Sequence, residues 1–324
     1  MHAMIRSART LLVGLTLTCA GTAWAQGFPS KPGRFIVTTA PGSTTDVVGR
    51  MLTEHYTRSL GQPWVVENRV GAGGNIGMSA AAKSAPDGYT LTFGSLGQSI
   101  INAFLYRNLD FDNEKDFDAV AYIAGVPYLI TVPADSPIKT FADFLAAARA
   151  RPGTVNIAID STSVRVAHAL LDAAANIKTF PVSYNGQALA IADVLGGRVA
   201  VMIETTTSLR PMIDSGKLRP LAITTPTASP LAPGVASVNE QGVPNYGGYV
   251  GWFGVITPHG TPANAVNILN AETNKFLNLS DTKARFQTLG LQSRPGTVQE
   301  FASYIASERA RIGPIIKAAG IKME

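Results

Sequence analysis

The sequence predicts an α/β protein of two domains, and three observations carry that expectation. Short apolar, β-branched runs alternate with stretches of helical periodicity, the pattern of repeated strand–helix units around parallel sheets. Gly, Pro, Ser, Thr and Asn cluster where the strand-like runs end, as connections into helices require. The length of 324 residues points to two domains rather than one.

The elements follow in order. Residues 1–25 read as a secretory leader: Arg6 and Arg9 form a basic start, and Leu11 to Ala20 is an apolar run. That run is shorter than the roughly 20 residues a membrane span needs. Ala23-Trp24-Ala25 is a small-x-small cleavage site, so the mature chain is expected to begin at Gln26. "RFIVTT" (34–39) is a strand broken by Pro41-Gly42, and Ser43 to Asp46 are N-cap residues for a helix carrying Val48, Met51, Leu52 and Tyr56. "PWVVEN" (63–68) is a second strand. It leads into the glycine loop "VGAGGNIG" (70–77) and a small-residue helix. "DGYTLTFGS" (87–95) is a third strand, ending in the loop "GSLGQS". The long apolar segment 119–133 is expected to cross between domains. A helix from Thr140 closes at Pro152-Gly153. Strand–helix pairs then follow at 154–176 and 179–197, "RVAVMIE" (198–204) is a strand, and "RPMIDSGKLRPLAITT" (210–225) is a helix and a strand. "GGYVGWFGVITP" returns as a strand, and the remainder from Thr261 is mostly amphipathic helix. The expected division is 26–128 with 226–324 as domain 1 and 129–225 as domain 2.

Composition narrows the chemistry. The only cysteine, Cys19, lies in the leader, which excludes a disulfide, a thiolate metal site and a cysteine nucleophile from the mature chain. Thr16 stands where a lipoprotein signal has Leu. Without the leader's two arginines, 25 basic residues face 22 acidic ones, a net charge of +3. That is too mild to argue for nucleic acid as a partner, but it suits collection of a small anion. His55, His168 and His259 have no metal-ligand spacing, no G-x-S-x-G elbow is present, and no cofactor is implied. Asp46, Asp160 and Glu204 could meet in space, yet nothing in the sequence pairs an acid with a base. The aromatics Tyr246, Tyr249, Trp252 and Phe253 read either as core packing or as a pocket wall.

The glycine loop is not a nucleotide loop. From Gly71, a dinucleotide fingerprint places its third glycine at 76, where Ile76 stands, and no Lys-Ser or Lys-Thr follows. Five junctions rich in small polar residues (41–46, 71–77, 94–99, 160–165 and 184–187) lie where strands end and helices begin. There, unpaired N–H groups and the helix dipole attract anions. Together they suggest a carboxylate cradle.

These residues resemble the extracytoplasmic solute receptors of tripartite tricarboxylate transporters, the Bug or TctC type, over essentially the whole mature chain. "APGSTTDVVGRML" is similar to that family's P-G-G-x-x-D-x-x-A-R stretch. "LGQPWVVENRVGAGGNIG" is similar to L-G-Q-x-x-V-V-E-N-R-x-G-A-G-G-x-I-G, and "APDGYTL" to P-P-D-G-Y-T-L. The resemblance implies a type II-like periplasmic-binding-protein fold, two α/β domains around a ligand cleft, closing by a hinge. It also implies a non-enzymatic periplasmic receptor for a small carboxylate: a dicarboxylate, carboxylated amino acid or aromatic acid. The implied partners are integral-membrane transporter subunits; the alternatives are a sensor kinase, or a secreted hydrolase or transferase. The positions expected to bind ligand are Ser43, Thr44, Asn75, Ser95, Gln98, Ser163, Arg165, Tyr184, Asn185 and Glu204. Ser43 departs from the family's usual Gly. The stretch 160–165 is about two residues shorter than A-G-N-G-T-S-N-H and puts Arg165 at the His position, and Glu204-Thr205 replaces a common Asp-Asn. Arg165 is therefore expected to grip a second carboxylate by a bidentate pair.

Overall fold

The computed structural model describes residues 27–184 and 187–318. The expected leader and Asn185 lie outside the described residues. One mixed sheet organises the chain, with β1 (Gly33–Val37), β2 (Trp64–Asn68), β3 (Thr90–Ser95), β4 (Phe117–Pro133), β5 (Asn156–Ile159), β6 (Phe180–Ser183), β7 (Val201–Thr205), β8 (Leu218–Ile223), β9 (Val250–Pro258) and β10 (Gln292–Ser293). The order is β2-β1-β3-β9-β4-β7-β5-β6, with β8 and β10 also pairing β4. The strand triplets β1–β3 and β5–β7 are parallel, as the alternating pattern predicts. The departure from parallel sheets is local: β9 and β4 run antiparallel to their neighbours.

The 17-residue β4 explains the long apolar segment. Its first part, Phe117 to Pro127, pairs with β9, and from Tyr128 it pairs with β7 and β8. A strand covered on both sides needs no polar alternation, and all but one residue from Val120 to Pro133 are buried. The chain returns from β8 to β9 beside it, through Thr224, whose hydroxyl accepts from the Tyr128 N–H at 2.9 Å.

Helices cover the sheet. α1 (Thr44–Leu60) starts where the sequence predicts: the Ser43 hydroxyl accepts from the Asp46 N–H, and Gly61 ends the helix at φ 72°. It buries Val48, Leu52 and Tyr56 against Phe35, Trp64, Phe93 and Phe276, each such side chain contributing about 1.5–3 kcal/mol. α2 (Asn75–Ala82), a π-helical turn (Leu96–Ile101) and α3 (Asn102–Leu105) follow; the expected loop after β3 is thus helical. α4 (Phe141–Ala150) opens on a reciprocal cap between Thr140 and Asp143. α5 (Thr162–Ala175), α6 (Gln187–Leu195) and α7 (Thr206–Asp214) flank β5–β7, and α8 (Ala263–Asn278), α9 (Ser280–Thr288) and α10 (Val298–Ala318) complete the chain. Among the described residues no helix is long and apolar enough to cross a membrane.

Candidate functional site

A cleft of about 390 Å³ opens where β4 passes from one strand group to the other. Its size suits a small metabolite. Thr38, Thr39, Thr44, Thr45, Ser95 and Gln98 line one wall; Ser163, Thr205, Thr207 and Ser208 line the other. Phe93, Val126, Tyr128, Trp252, Phe253 and Leu291 form an apolar belt between them. None of the described lining residues is charged.

The polar walls are helix starts. Thr44 and Thr45 open α1, and Ser95 caps the π-helical turn by accepting from the Gln98 N–H at 3.2 Å. Ser163 lies in the first turn of α5, whose cap is Ser161. Thr205 caps α7 and accepts from the Ser208 N–H at 3.4 Å. Helix starts from both groups of strands thus face one space. Each leaves backbone N–H groups without an intrahelical partner and a positive dipole end, which is how a neutral pocket holds an anion.

The glycine loop has a buttressing place. Its residues 71–74 all have positive φ, and Gly74, at φ 93°, lies directly behind Gln98: a Cβ there would sit 2.7 Å from Gln98 Nε2. Gln98 accepts from the Ser95 hydroxyl and reaches Thr38 Oγ1 at 3.4 Å, tying the ends of β1 and β3 together. Gly74→Ala is therefore expected to dislodge Gln98. Loss of about one hydrogen bond corresponds to roughly tenfold weaker ligand binding, measurable by calorimetry.

The structure gathers some of the expected positions at the cleft and sets others apart. Thr44, Ser95, Gln98 and Ser163 line it. Ser43 stands behind, its hydroxyl sharing a 2.7 Å bond with Thr39. Asn75 is buried and accepts from Asn102 Nδ2 at 2.8 Å. Tyr184 donates to Asp193 at 2.8 Å. Arg165 is not among the lining residues and donates to Ser183 Oγ at 2.8 Å.

Of the three acidic positions, Asp46 stands apart, whereas Asp160 and Glu204 come together. Asp46 braces the first loop, accepting from the Gly42 N–H, from Arg50 through both oxygens and from Asn68. Burial alone would raise its pKa, but those hydrogen bonds outweigh it and hold the carboxyl down to about 2. Glu204 is buried beside Asp160. Desolvation first, then the Asp160 charge, push its carboxyl up to about 7, against the opposing Thr205 N–H bond.

Sequence reasoning did not single out Thr38, Thr39, Tyr128, Thr207 and Ser208, and it named Thr45 and Thr205 only as members of the 41–46 junction and of the Glu204-Thr205 pair. The T-x-x-S spacing of Thr205 and Ser208, directly after an apolar strand, was the available signal for the last wall. Of the four aromatics, Trp252 and Phe253 line the cleft, and Tyr246 and Tyr249 are core.

A larger groove of about 930 Å³ runs outside, between α7 and the α9–β10 turn, sharing Thr207 and Leu291 with the cleft. Only the α7 start opens into it, and its flank carries the exposed Arg210–Asp214 ion pair. The cleft, with helix starts on both walls, is the better anion cradle. Among the described residues no His, Cys, Asp and Glu group could hold a metal ion.

Comparison with known proteins places this geometry. The family model described as "Tripartite tricarboxylate transporter family receptor", TctC, matches residues 48–321. The protein BugT of Bordetella pertussis is 33% identical over 327 residues, covering 97% of this chain and 98% of its own length. Rpa4515 of R. palustris, solved with adipate, superposes with a TM-score of 0.75 at 30% identity, covering 91% of this chain and 100% of that chain. MatC of Rhodopseudomonas palustris, solved with bound malate, gives 0.71 at 28% identity, covering 89% and 100%. With 274 of its residues matched in one family model, the chain belongs to the TctC receptors of tripartite tricarboxylate transporters, which are solute-binding receptors and not enzymes.

Proposed function

We propose that this chain is a periplasmic receptor that captures a small dicarboxylate in the cleft and delivers it to integral-membrane transporter subunits. One observation carries the reading: uncharged helix starts from both walls face one space across an apolar belt. Each wall suits one carboxylate, and the belt suits the carbon chain between them. Relatives solved with adipate and malate support that ligand class. In this reading 26–128 with 226–324 and 129–225 act as the two closing halves. Thr44, Ser95, Gln98, Ser163, Thr205 and Ser208 supply the grip.

A thermal-shift screen over mono-, di- and tricarboxylic acids, with adipate and malate among them, tests the proposal. At ligand a hundredfold above its dissociation constant, linkage adds roughly 2.7 kcal/mol of stability, visible as a shift of several degrees. No shift with any dicarboxylate would overturn it. Because none of the described lining residues is a cation, grip by N–H and hydroxyl groups is favoured over the Arg165 grip. Arg165→Ala is expected to change dicarboxylate affinity by less than about threefold, well under the 1.5–3 kcal/mol of a charged hydrogen bond. Calorimetry reads this directly.

A further inference from the structure

We propose that Asp160 and Glu204 form a proton-binding site that fills as the cleft takes its anion, so that the receptor captures its ligand together with a proton. The inference rests on the carboxylate-receptor reading above and adds a second, unassigned ligand to it.

The strand register builds the site. β5 and β7 are parallel, with Ala158 opposite Met202. Two residues further along, Asp160 falls beside Glu204 on the same face, because side chains alternate with period two. Glu204 is only 7% exposed. Both Asp160 oxygens are buried, and neither finds a geometric hydrogen-bond partner among the described residues. Two adjacent carboxylates out of water repel each other, and a proton on Glu204 relieves that repulsion.

Among the described residues no cation forms an ion pair with either carboxyl. On α5, Arg165 is bound to Ser183 and His168 lies against Asp172 and Thr179. On α6, Asp193 is taken by Tyr184 and Arg198. On α7, Arg210 pairs with Asp214. From β4, the buried Tyr128 faces both carboxyls and is itself raised, by burial first and by Glu204 next.

The pair also touches the cleft. The Thr205 N–H donates to Glu204, while Thr205 caps α7 and lines the cleft, as does Tyr128. An anion seated at the α7 start therefore adds negative charge next to a pair already short of compensation. It must raise the pair's proton affinity, and by reciprocity protonation must raise the anion's affinity. A coupling of typical size makes adipate binding roughly tenfold tighter near pH 6 than near pH 8.

Titration calorimetry with adipate, near pH 7 in two buffers of different protonation heat, counts the protons taken up. Carboxyl ¹³C NMR of the ligand-free protein reports the pair's own titration. The expected result is fractional proton uptake in the wild type, none in Glu204→Gln, and one carboxyl of the free wild type titrating far above the ordinary range. Adipate binding without proton uptake would overturn the coupling. Two carboxyls titrating in the ordinary acidic range would overturn the site whether or not adipate binds. Absence of binding by adipate and by every other dicarboxylate of the screen would count against the receptor reading, while the titration of the free protein still decides the proton site.

Discussion

Replacing Ser208 with aspartate is expected to abolish dicarboxylate capture while leaving the protein folded. Ser208 is the third residue of α7, its N–H and hydroxyl both engaged with the Thr205 hydroxyl, and it lines the cleft. An acidic side chain at this helix position favours stability, because it meets the positive dipole end and contributes about 0.3–1 kcal/mol. The chain already carries that pattern at α4, where Asp143 and the cap Thr140 bond reciprocally. The ligand experiences the same charge with the opposite sign of benefit. Two negative charges about 5 Å apart at an effective dielectric near 20 repel by roughly 3 kcal/mol, more than a hundredfold in affinity. Calorimetry with the best dicarboxylate from the screen should show no saturable heat, and the melting temperature should stay level or rise slightly. Retained binding would mean that the α7 start is not part of the grip.

The sequence made the scaffold legible because its signals are local. Ser43 with Asp46, Thr140 with Asp143, and Gly61 mark helix ends through chemistry that acts within a few residues. The segment 119–133 stood out because a strand buried on both faces leaves no polar alternation. The site was legible where a helix start also faces the cleft, as at Thr44, Ser95 and Ser163. Asn75 has the same small polar character and the same helix-start position, yet it turns to Asn102; only the packing of α2 against α3 decides that. Arg165 is expected to grip from its place in the motif, while its hydrogen-bond partner Ser183 comes from β6, 18 residues away. The Asp160–Glu204 pair depends on the β5–β7 register, which no local pattern records.

That pair makes stability depend on pH in a direction that can be worked out. The Glu204 carboxyl has a folded-state pKa of about 7, against an ordinary value of 4.5. A carboxyl raised on folding favours the folded state when protonated. Its contribution is fully present below about pH 4.5 and is lost as pH rises through about 7. A shift of this size amounts to roughly 3 kcal/mol. Asp46, held down to about 2, does nothing in this window, because its contribution is lost only as pH falls toward that value. His168 acts oppositely to Glu204: burial lowers its pKa, so its contribution is present above about 6.5 and is lost at lower pH. Comparing wild type with Glu204→Gln at each pH cancels the His168 part. Urea unfolding is expected to show the glutamine variant gaining on the wild type by roughly 3 kcal/mol between about pH 5 and pH 8. A difference that stays flat across that range would mean that Glu204 ionises as an ordinary solvated acid, and the buried pair would lose its physical basis.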